Sequence, residues 1–166
     1  PRWTYDRKSA KGKEGVIGLD EAGRGCLAGP VVAGAILLPA SFFSRGRNRN
    51  VTAEMNDSKQ FKEEKRENLY QCIMQLADAE ELFWGMGLAT VEEIESENIV
   101  GATCLAMKRA MENVCVQSEG RWKPERTKPQ SLLLENESNE IFSRWIVRVD
   151  GRPMKKLPYL HQGLVK

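Results

Sequence analysis

Four apolar runs along the chain have the length and composition of β-strands. Each is rich in aliphatic or aromatic residues and is bounded by glycine, proline or polar residues. The last of them alternates apolar and polar positions, as a strand with one buried face does. The runs are Val16–Leu19, Pro30–Pro39, Glu81–Ala89 and Ile141–Asp150.

Two further segments carry the signals of α-helices. Lys62–Ala77 places apolar residues at i, i+3, i+4 and i+7, and Ser58 is a candidate cap at its entry. These apolar residues are Leu69, Cys72, Ile73 and Leu76. Thr90 followed by Glu93 has the form of a capping box, which predicts a long helix to about Val114. Strands and helices therefore share one domain of the α/β class.

Polar segments lie between and beyond these elements. Residues 1–14 are polar and basic, and we predict an N-terminal arm there, followed by one folded domain over residues 15–166. Residues 40–56 have the composition of a connecting loop. Residues 117–140 contain prolines and an acidic stretch, and we predict a polar insertion. A basic, proline-containing tail follows Asp150.

The net charge and the cysteine content limit which binding partners and which cellular compartment are expected. The net charge is +2 over 166 residues, so any contact with nucleic acid has to come from local basic clusters. The four cysteines form no C-x-x-C pair, which favours free thiols in a reducing compartment over a zinc site or disulfides. The sequence shows no leader-like apolar region and no membrane-spanning run. We expect a cytoplasmic protein that makes no membrane contact and is a monomer.

Three carboxylates stand at the ends of predicted strands. Asp20 and Glu21 follow the first strand, and Asp150 ends the last one. If these strands are neighbours, the three acids converge at one edge of a sheet, where unpaired carboxylates repel each other. A divalent cation relieves that repulsion, and a ligand set of oxygens alone favours Mg²⁺ or Mn²⁺. Two such ions suit phosphoryl transfer, whereas any one of these acids taken alone is compatible with a solvated strand end.

A glycine-rich turn follows the first two acids. Gly23, Arg24 and Gly25 leave backbone N–H and C=O groups open to close approach. Such a backbone can hydrogen-bond a ribose 2′-hydroxyl, the group that distinguishes RNA from DNA. Glycine spacing alone is equally satisfied by an ordinary tight turn.

The same turn also fits the G-x-G-x-x-A pattern of dinucleotide-binding loops. That function requires a helix directly after the turn, so that its N-terminus meets the pyrophosphate. Pro30 and a β-branched run follow instead, and Asp20 and Glu21 would repel the phosphates. The dinucleotide interpretation is therefore disfavoured.

The sequence resembles a known family in four blocks that occur in order. The N-terminal block, GLDEAGRGCLAGPVVAGAILLP, closely resembles the signature of ribonuclease HII, the type 2 ribonuclease H. The later blocks are NDSKQFKEEKRENLY, ATVEEIESENIVGATCLAMKRAMENV and VDGRPMKKLPYLHQGLVK. The resemblance implies a ribonuclease H-like fold, a mixed β-sheet with flanking helices. It also implies Mg²⁺- or Mn²⁺-dependent cleavage of the RNA strand of RNA/DNA hybrids and of ribonucleotides embedded in duplex DNA.

The resemblance also assigns roles to particular residues. The catalytic and metal-binding acids of the family correspond to Asp20, Glu21 and Asp150. The turn that contacts the ribose and the substrate backbone corresponds to Gly23, Arg24 and Gly25, and a further block contributes Asp57, Ser58 and Lys59. Lys59 is the expected phosphate contact among these, a role that a solvated lysine fits equally well. His161, the single histidine, is expected to face the surface or the hybrid rather than a metal.

The sequence departs from the family pattern in two places. The family continues after Leu164, Val165 and Lys166 with Gly-Asp, whose Asp is a fourth metal-site carboxylate, and then with further helices. We therefore expect a catalytic domain that lacks the fourth carboxylate and the C-terminal helices. The polar segment 117–140 is longer than the family pattern leads us to expect. The alternative function is a catalytically impaired fragment that only binds RNA/DNA hybrids.

Overall fold

The protein is built on one five-stranded mixed sheet. The computed structural model describes residues 2–26, 28–55, 58–120, 144–159 and 161–164. The strands are β1 (Gly15–Ala22), β2 (Val31–Pro39), β3 (Phe83–Ala89), β4 (Trp145–Asp150) and β5 (Gln162–Leu164). Their order across the sheet is β3-β2-β1-β4-β5. The pairs β1–β2 and β2–β3 are antiparallel, whereas β1–β4 and β4–β5 are parallel. The expected mixed sheet is thus confirmed.

Helices cover both faces of this sheet. They are α1 (Arg2–Ser9), α2 (Gly46–Ala53), α3 (Glu63–Asp78) and α4 (Val91–Gln117), with short 3-10 helices at Ala40–Ser44 and Ser58–Gln60. Helix α4 packs on one face, where Met107 and Met111 join strand residues in the larger apolar core. Phe42, Phe43 and Leu76 belong to a second core on the opposite face. We call these the α4 face and the α1–α3 face.

The alternation of side chains along the strands decides which residues reach each face. In β1, Ile17 and Leu19 point to the α4 face, and Val16 points to the α1–α3 face. In β4, Val147 and Val149 likewise belong to the α4 core. The intervening positions of both strands therefore point to the α1–α3 face.

Small residues allow α4 to lie close to the sheet. A Cβ added at Gly87 would come within 2.1 Å of the Ala106 carbonyl oxygen and 2.4 Å of the Ala110 nitrogen. The predicted capping box of this helix is present: the Glu93 N–H donates to Thr90 Oγ1 at 3.3 Å, and the Thr90 N–H donates to Glu93 Oε2 at 2.9 Å. The helix start and its close approach to β3 thus both follow from local sequence.

Several polar segments are more ordered than their composition predicts. The predicted N-terminal arm contains α1 and packs against the domain, and residues 40–56, predicted as a loop, contain a 3-10 helix and α2. Strand β1 runs on past Leu19 to Ala22, and the predicted tail contributes β5. Ser58 lies in a 3-10 helix, and α3 starts after Lys62, which makes no side-chain cap. Most of the predicted insertion lies outside the described residues.

Helix α1 is held to the sheet by a buried cation. Arg148 of β4 is 4% exposed and forms an ion pair with Asp6. Its guanidinium donates to Ser9 Oγ at 2.6 Å and lies 4.3 Å from the centre of the Tyr5 ring. Trp3 adds contacts with the rings of the second core. Because a buried charge is costly without partners, these contacts explain why a polar segment folds back onto the domain.

Within the described part of the chain, no helix has both the length and the apolar character needed to cross a membrane.

We predict that Gly87→Ala destabilises the protein, because the new methyl group would overlap α4 backbone atoms that cannot move without shifting the helix. Overpacking of this kind typically costs about 1–3 kcal/mol. The matched control is Gly34→Ala in β2, where an added Cβ meets no atom within 4 Å. Urea unfolding of both variants should show a lower midpoint for the first alone. Equal midpoints would contradict the proposed close packing.

Candidate active site

Two acids lie side by side at one edge of the sheet. The parallel register pairs Leu19 with Val149, so the next residues, Asp20 and Asp150, occupy adjacent strand ends. Both follow residues that point to the α4 face, and both therefore point to the α1–α3 face. Both are exposed at this edge. The condition for convergence, that the strands bearing these acids be neighbours, is thus met.

The proton affinity of Asp20 reflects this crowding. Burial raises the pKa of Asp20 above its ordinary value, and the negative charges of Asp150 and Glu21 raise it further. The Glu21 N–H donates to Asp20 Oδ1 at 2.8 Å and acts in the opposite direction, as does the charge of Lys59. The pKa of Asp20 is raised overall, as expected for a carboxylate that is partly desolvated and has like charges nearby.

Glu21 points to the other face of the sheet. We expected the strand to end before the acids, so that both could turn toward one site. Strand β1 instead continues through Ala22, and alternation sends Glu21 toward the α4 face, where it is half-buried. There its Oε1 lies 3.3 Å from Arg24 Nη1. Glu21 and Asp150 nevertheless line a common cavity of about 610 Å³.

The three acids consequently do not form one compact ligand cluster. No group of three or more His, Cys, Asp or Glu side chains within the described ranges is close enough to hold a metal ion. The donors still suit a hard divalent cation, since all are carboxylate oxygens at one sheet edge and one has a raised pKa. The predicted convergence is therefore correct for Asp20 and Asp150 and only approximate for Glu21.

The turn after β1 has glycine at positions 23 and 25 for two different reasons. Gly23 has φ +91°, and an added Cβ would lie 2.5 Å from the Pro30 carbonyl oxygen, so its own backbone requires glycine. An added Cβ at Gly25 would meet no atom within 4 Å, and its φ is not positive. The fold therefore does not require glycine at 25, where the absent side chain leaves space for a ligand. Arg24 between them is exposed apart from its contact with Glu21.

The second candidate block lies on the α1–α3 side of the edge. Ser58 and Lys59 are exposed in the 3-10 helix Ser58–Gln60. The positive charge of Lys59 lowers the pKa of Asp20, which means that it lies close enough to interact with this acid. Asp57 lies outside the described residues. Lys59 is therefore near Asp20, and its contact with a phosphate stays a prediction.

Residues of the cavity that the sequence did not single out come from two segments. Arg152, Lys155 and Lys156 follow Asp150 and add positive charge to the lining. Asn98 breaks the helical geometry of α4 (φ 57°, ψ 170°), and its Oδ1 accepts hydrogen bonds from the N–H groups of Val100 and Gly101 at 2.9 and 3.2 Å. The cations after Asp150 are visible in the sequence, but the helix break gives no clear signal.

His161 braces the segment that carries these cations. Its Nε2 accepts a hydrogen bond from the Met154 N–H at 2.9 Å, and its Nδ1 lies 2.6 Å from the Tyr159 carbonyl oxygen. These two contacts require the tautomer with the proton on Nδ1. The histidine, which we expected to face the surface or the hybrid, is half-buried and structural.

Comparisons with known proteins agree on one family. A sequence model described as Ribonuclease HII matches residues 17–149. The ribonuclease HII of Synechococcus elongatus is 38% identical over 132 residues, which cover 76% of this chain and 58% of that protein. The ribonuclease HII of Thermotoga maritima is 39% identical over 142 residues, which cover 86% of this chain and 49% of that protein.

One solved structure is also similar. A ribonuclease HII of Archaeoglobus fulgidus, determined in complex with PCNA, has a TM-score of 0.49 and 17% identity, over 91% of this chain and 62% of that one.

The chain spans about half the length of the curated relatives it matches, 58% and 49% for the two named above. The family match, in contrast, covers most of this chain and begins and ends on the two parallel strands that carry the acids. This chain belongs to the ribonuclease HII family and has its ribonuclease H-like α/β fold.

Proposed function

We propose that this chain provides the catalytic edge of an endonuclease. Its substrates are the RNA strand of RNA/DNA hybrids and ribonucleotides embedded in duplex DNA, and the reaction is hydrolysis of a phosphodiester bond with two divalent metal ions. The single observation that carries the proposal is the pairing of Asp20 with Asp150 at the ends of two parallel strands. Membership of the ribonuclease HII family supports the choice of reaction.

Asp20 and Asp150 would hold a divalent cation between adjacent strand ends, and Glu21 would reach it from the other face. This role requires Glu21 to leave or share its contact with Arg24, which is exposed and free to follow the substrate instead. When bound, Mg²⁺ or Mn²⁺ activates water and stabilises the charge that develops on the phosphate oxygens. Burial is the main cause of the raised pKa of Asp20, and the charges of Asp150 and Glu21 add to it; a bound cation would offset both effects, which supports the fit.

The other residues bind and orient the substrate. The turn at Gly23, Arg24 and Gly25 presents backbone groups to the ribose 2′-hydroxyl, and the open space at Gly25 admits the sugar. Ser58 and Lys59 contact a phosphate on the α1–α3 side of the acids. The cations of the cavity on the other side offer further phosphate contacts. The substrate backbone would thus cross the edge between two positively charged flanks.

A second candidate function is binding of RNA/DNA hybrids without cleavage. The observation that favours it is that the three acids do not form a ready metal-binding cluster within the described residues. Retention of hybrid binding without cleavage at any concentration of Mg²⁺ or Mn²⁺ would support this alternative.

The proposal includes a monomer acting in the cytoplasm. All four cysteines are free, and Cys26 is exposed. Unpaired, accessible thiols are typical of a reducing compartment, which supports this location.

We predict that Asp20→Asn lowers the rate of cutting at a single ribonucleotide by about 100-fold or more, because loss of a metal ligand removes transition-state stabilisation. The assay uses a labelled duplex with one ribonucleotide and either Mg²⁺ or Mn²⁺. Asp78→Asn, an exposed acid at the end of α3, is the matched control and should cut like the parent. Binding of the hybrid should remain measurable for both. If the Asp20→Asn variant cut the duplex at the same rate as the parent, Asp20 would not be a metal ligand.

We predict that the same Asp20→Asn substitution stabilises the metal-free protein at neutral pH. A raised folded-state pKa means that the stability contribution of Asp20 is fully present below the unfolded-state pKa and is lost as pH rises through the folded-state value. Replacing the ionised carboxylate removes this penalty, by about 0.5 kcal/mol given the screening of a partly exposed charge. Chemical unfolding at pH 4 and pH 7 should show a larger gain at pH 7, and a loss of stability at pH 7 would contradict the account.

We predict that Gly25→Ala separates ribose recognition from folding. The new methyl group meets no protein atom, so the unfolding midpoint should stay at the parental value. It would obstruct the hydroxyl of the ribose, and loss of hydrogen bonds worth about 1–3 kcal/mol should lower the rate of cutting by roughly ten- to a hundredfold.

Gly23→Ala is the contrasting variant, since its positive φ and contact with Pro30 should lower stability as well as cutting. If Gly25→Ala cuts the ribonucleotide duplex as fast as the parent, the turn does not read the ribose.

A further inference from the structure

Helix α1 carries a cationic face that the proposed active site does not use. Thr4, Arg7 and Lys8 lie on one face of α1, Lys11 lies two residues beyond its end, and all four are exposed. Together with Lys13, Phe43 and Ser44 they line a groove of about 590 Å³, and no acidic residue contributes to that lining. We call this feature the α1 groove.

The opposite side of α1 is fixed to the domain. Asp6 pairs with the buried Arg148, and the Tyr5 ring lies 4.3 Å from the same guanidinium. The Trp3 ring centre is 5.2 Å from that of Phe43. These contacts prevent the helix from turning its cations inward or from swinging away as a flexible arm. The α1 groove is therefore a preformed surface.

Three cations of this surface, Arg7, Lys8 and Lys11, have no neutralising carboxylate within the described residues. The adjacent acids Asp6 and Glu14 are engaged by Arg148 and Arg144. Arg7 and Lys8 lie in the last turn of α1 and Lys11 lies just beyond its end, so three like charges are close together and repel each other. A bound anion would relieve that repulsion.

The charge of the whole chain is unevenly distributed. Residues 1–13 contain five basic residues and one acidic residue, a net charge of +4. Residues 14–166 hold the other 20 basic and 22 acidic residues and carry −2, which accounts for the total of +2. The positive charge is therefore concentrated on one short, docked segment.

The α1 groove lies away from the candidate active site. Its loop residues directly precede Gly15, where β1 begins, whereas Asp20 lies near the other end of that strand. At about 3.3 Å per residue, these strand positions are roughly 17 Å apart. The groove is therefore a separate surface.

We propose that the α1 groove is a second nucleic-acid contact, which binds the phosphate backbone of a duplex without regard to sequence. The choice of nucleic acid as the anionic partner of this groove rests on the proposed function. Clustered lysine and arginine side chains are the usual partners of phosphates. A membrane-surface helix needs an outward apolar face, whereas Trp3 and Ala10 of this segment face the domain.

The test compares two triple variants of the full chain. Arg7→Gln, Lys8→Gln and Lys11→Gln together remove the charge, while Arg7→Lys, Lys8→Arg and Lys11→Arg together preserve it. Fluorescence anisotropy measures binding to an all-DNA duplex and to an RNA/DNA hybrid over a series of salt concentrations. The glutamine variant should bind both duplexes about tenfold or more weakly at ~0.1 M salt. Its plot of log K against log salt should be shallower by about 0.9 per lost phosphate contact. The charge-preserving variant should bind like the parent.

The outcomes separate this inference from the proposed function. If the folded glutamine variant keeps the parental affinity and salt slope, the inference is overturned, whether or not the parent cuts ribonucleotides. If the parent does not cut but the glutamine variant binds DNA more weakly, the groove stands and the proposed function fails. Loss of binding to phosphatidylserine vesicles with unchanged duplex binding would overturn the inference in favour of a membrane contact. Should the triple variant unfold, Lys8→Gln and Lys11→Gln alone must each reduce the salt slope.

Discussion

The parallel pairing of β1 with β4 is the constraint on which the candidate site depends. The two strands are far apart in the sequence, yet their register places Leu19 beside Val149 and so brings Asp20 and Asp150 to the same edge. Parallel neighbours end at the same side of a sheet, whereas an antiparallel pair would have carried the second acid to the opposite side. A register slip of one residue would also have moved Asp150 to the other face. The location of the acids is therefore a property of strand pairing.

The same strand geometry divides the three carboxylates between two faces. Asp20 and Asp150 share the α1–α3 face, and Glu21 lies on the α4 face against Arg24. This division limits repulsion in the metal-free protein, although the charges of Asp150 and Glu21 still add to the effect of burial in raising the pKa of Asp20. A site arranged in this way keeps its acids close to an edge where a cation can join them, and it does not need a fully assembled cluster to fold.

Basic residues serve two distinct purposes in this protein. Arg148 is buried, points to the same face as Asp150 and joins α1 to the sheet through Asp6 and Tyr5. The cations of the α1 groove and those after Asp150 are exposed, and they surround openings in the surface. A buried cation must be paired to be tolerated, whereas exposed clusters keep their charge available to a ligand. The small net charge of the whole chain gives no indication that the exposed basic residues are clustered in this way.

The sequence by itself determined the elements with strong periodicity or capping signals, including α3, α4 with its capping box, and the core strands. It also identified the acids and the glycine turn, because strand ends followed by Asp, Glu and Gly are local patterns. It predicted a polar arm at residues 1–14 and a loop at residues 40–56, where short helices form. Helix α1 is held by Arg148, Phe42 and Phe43, and residues 40–56 are held by the burial of Phe42 and Phe43 in the second core. These are long-range contacts that no local pattern reveals.

Tertiary structure alone decided which acids face each other. Where β1 ends determines whether Glu21 shares a face with Asp20. The antiparallel pairing with β2 continues to Ala22, beyond the last residue paired with β4, and so extends the strand past both acids. The break at Asn98 and the bracing contacts of His161 likewise depend on surroundings that assemble only in the folded chain. Residue types thus set the available chemistry, whereas long-range strand pairing set the direction in which each side chain points.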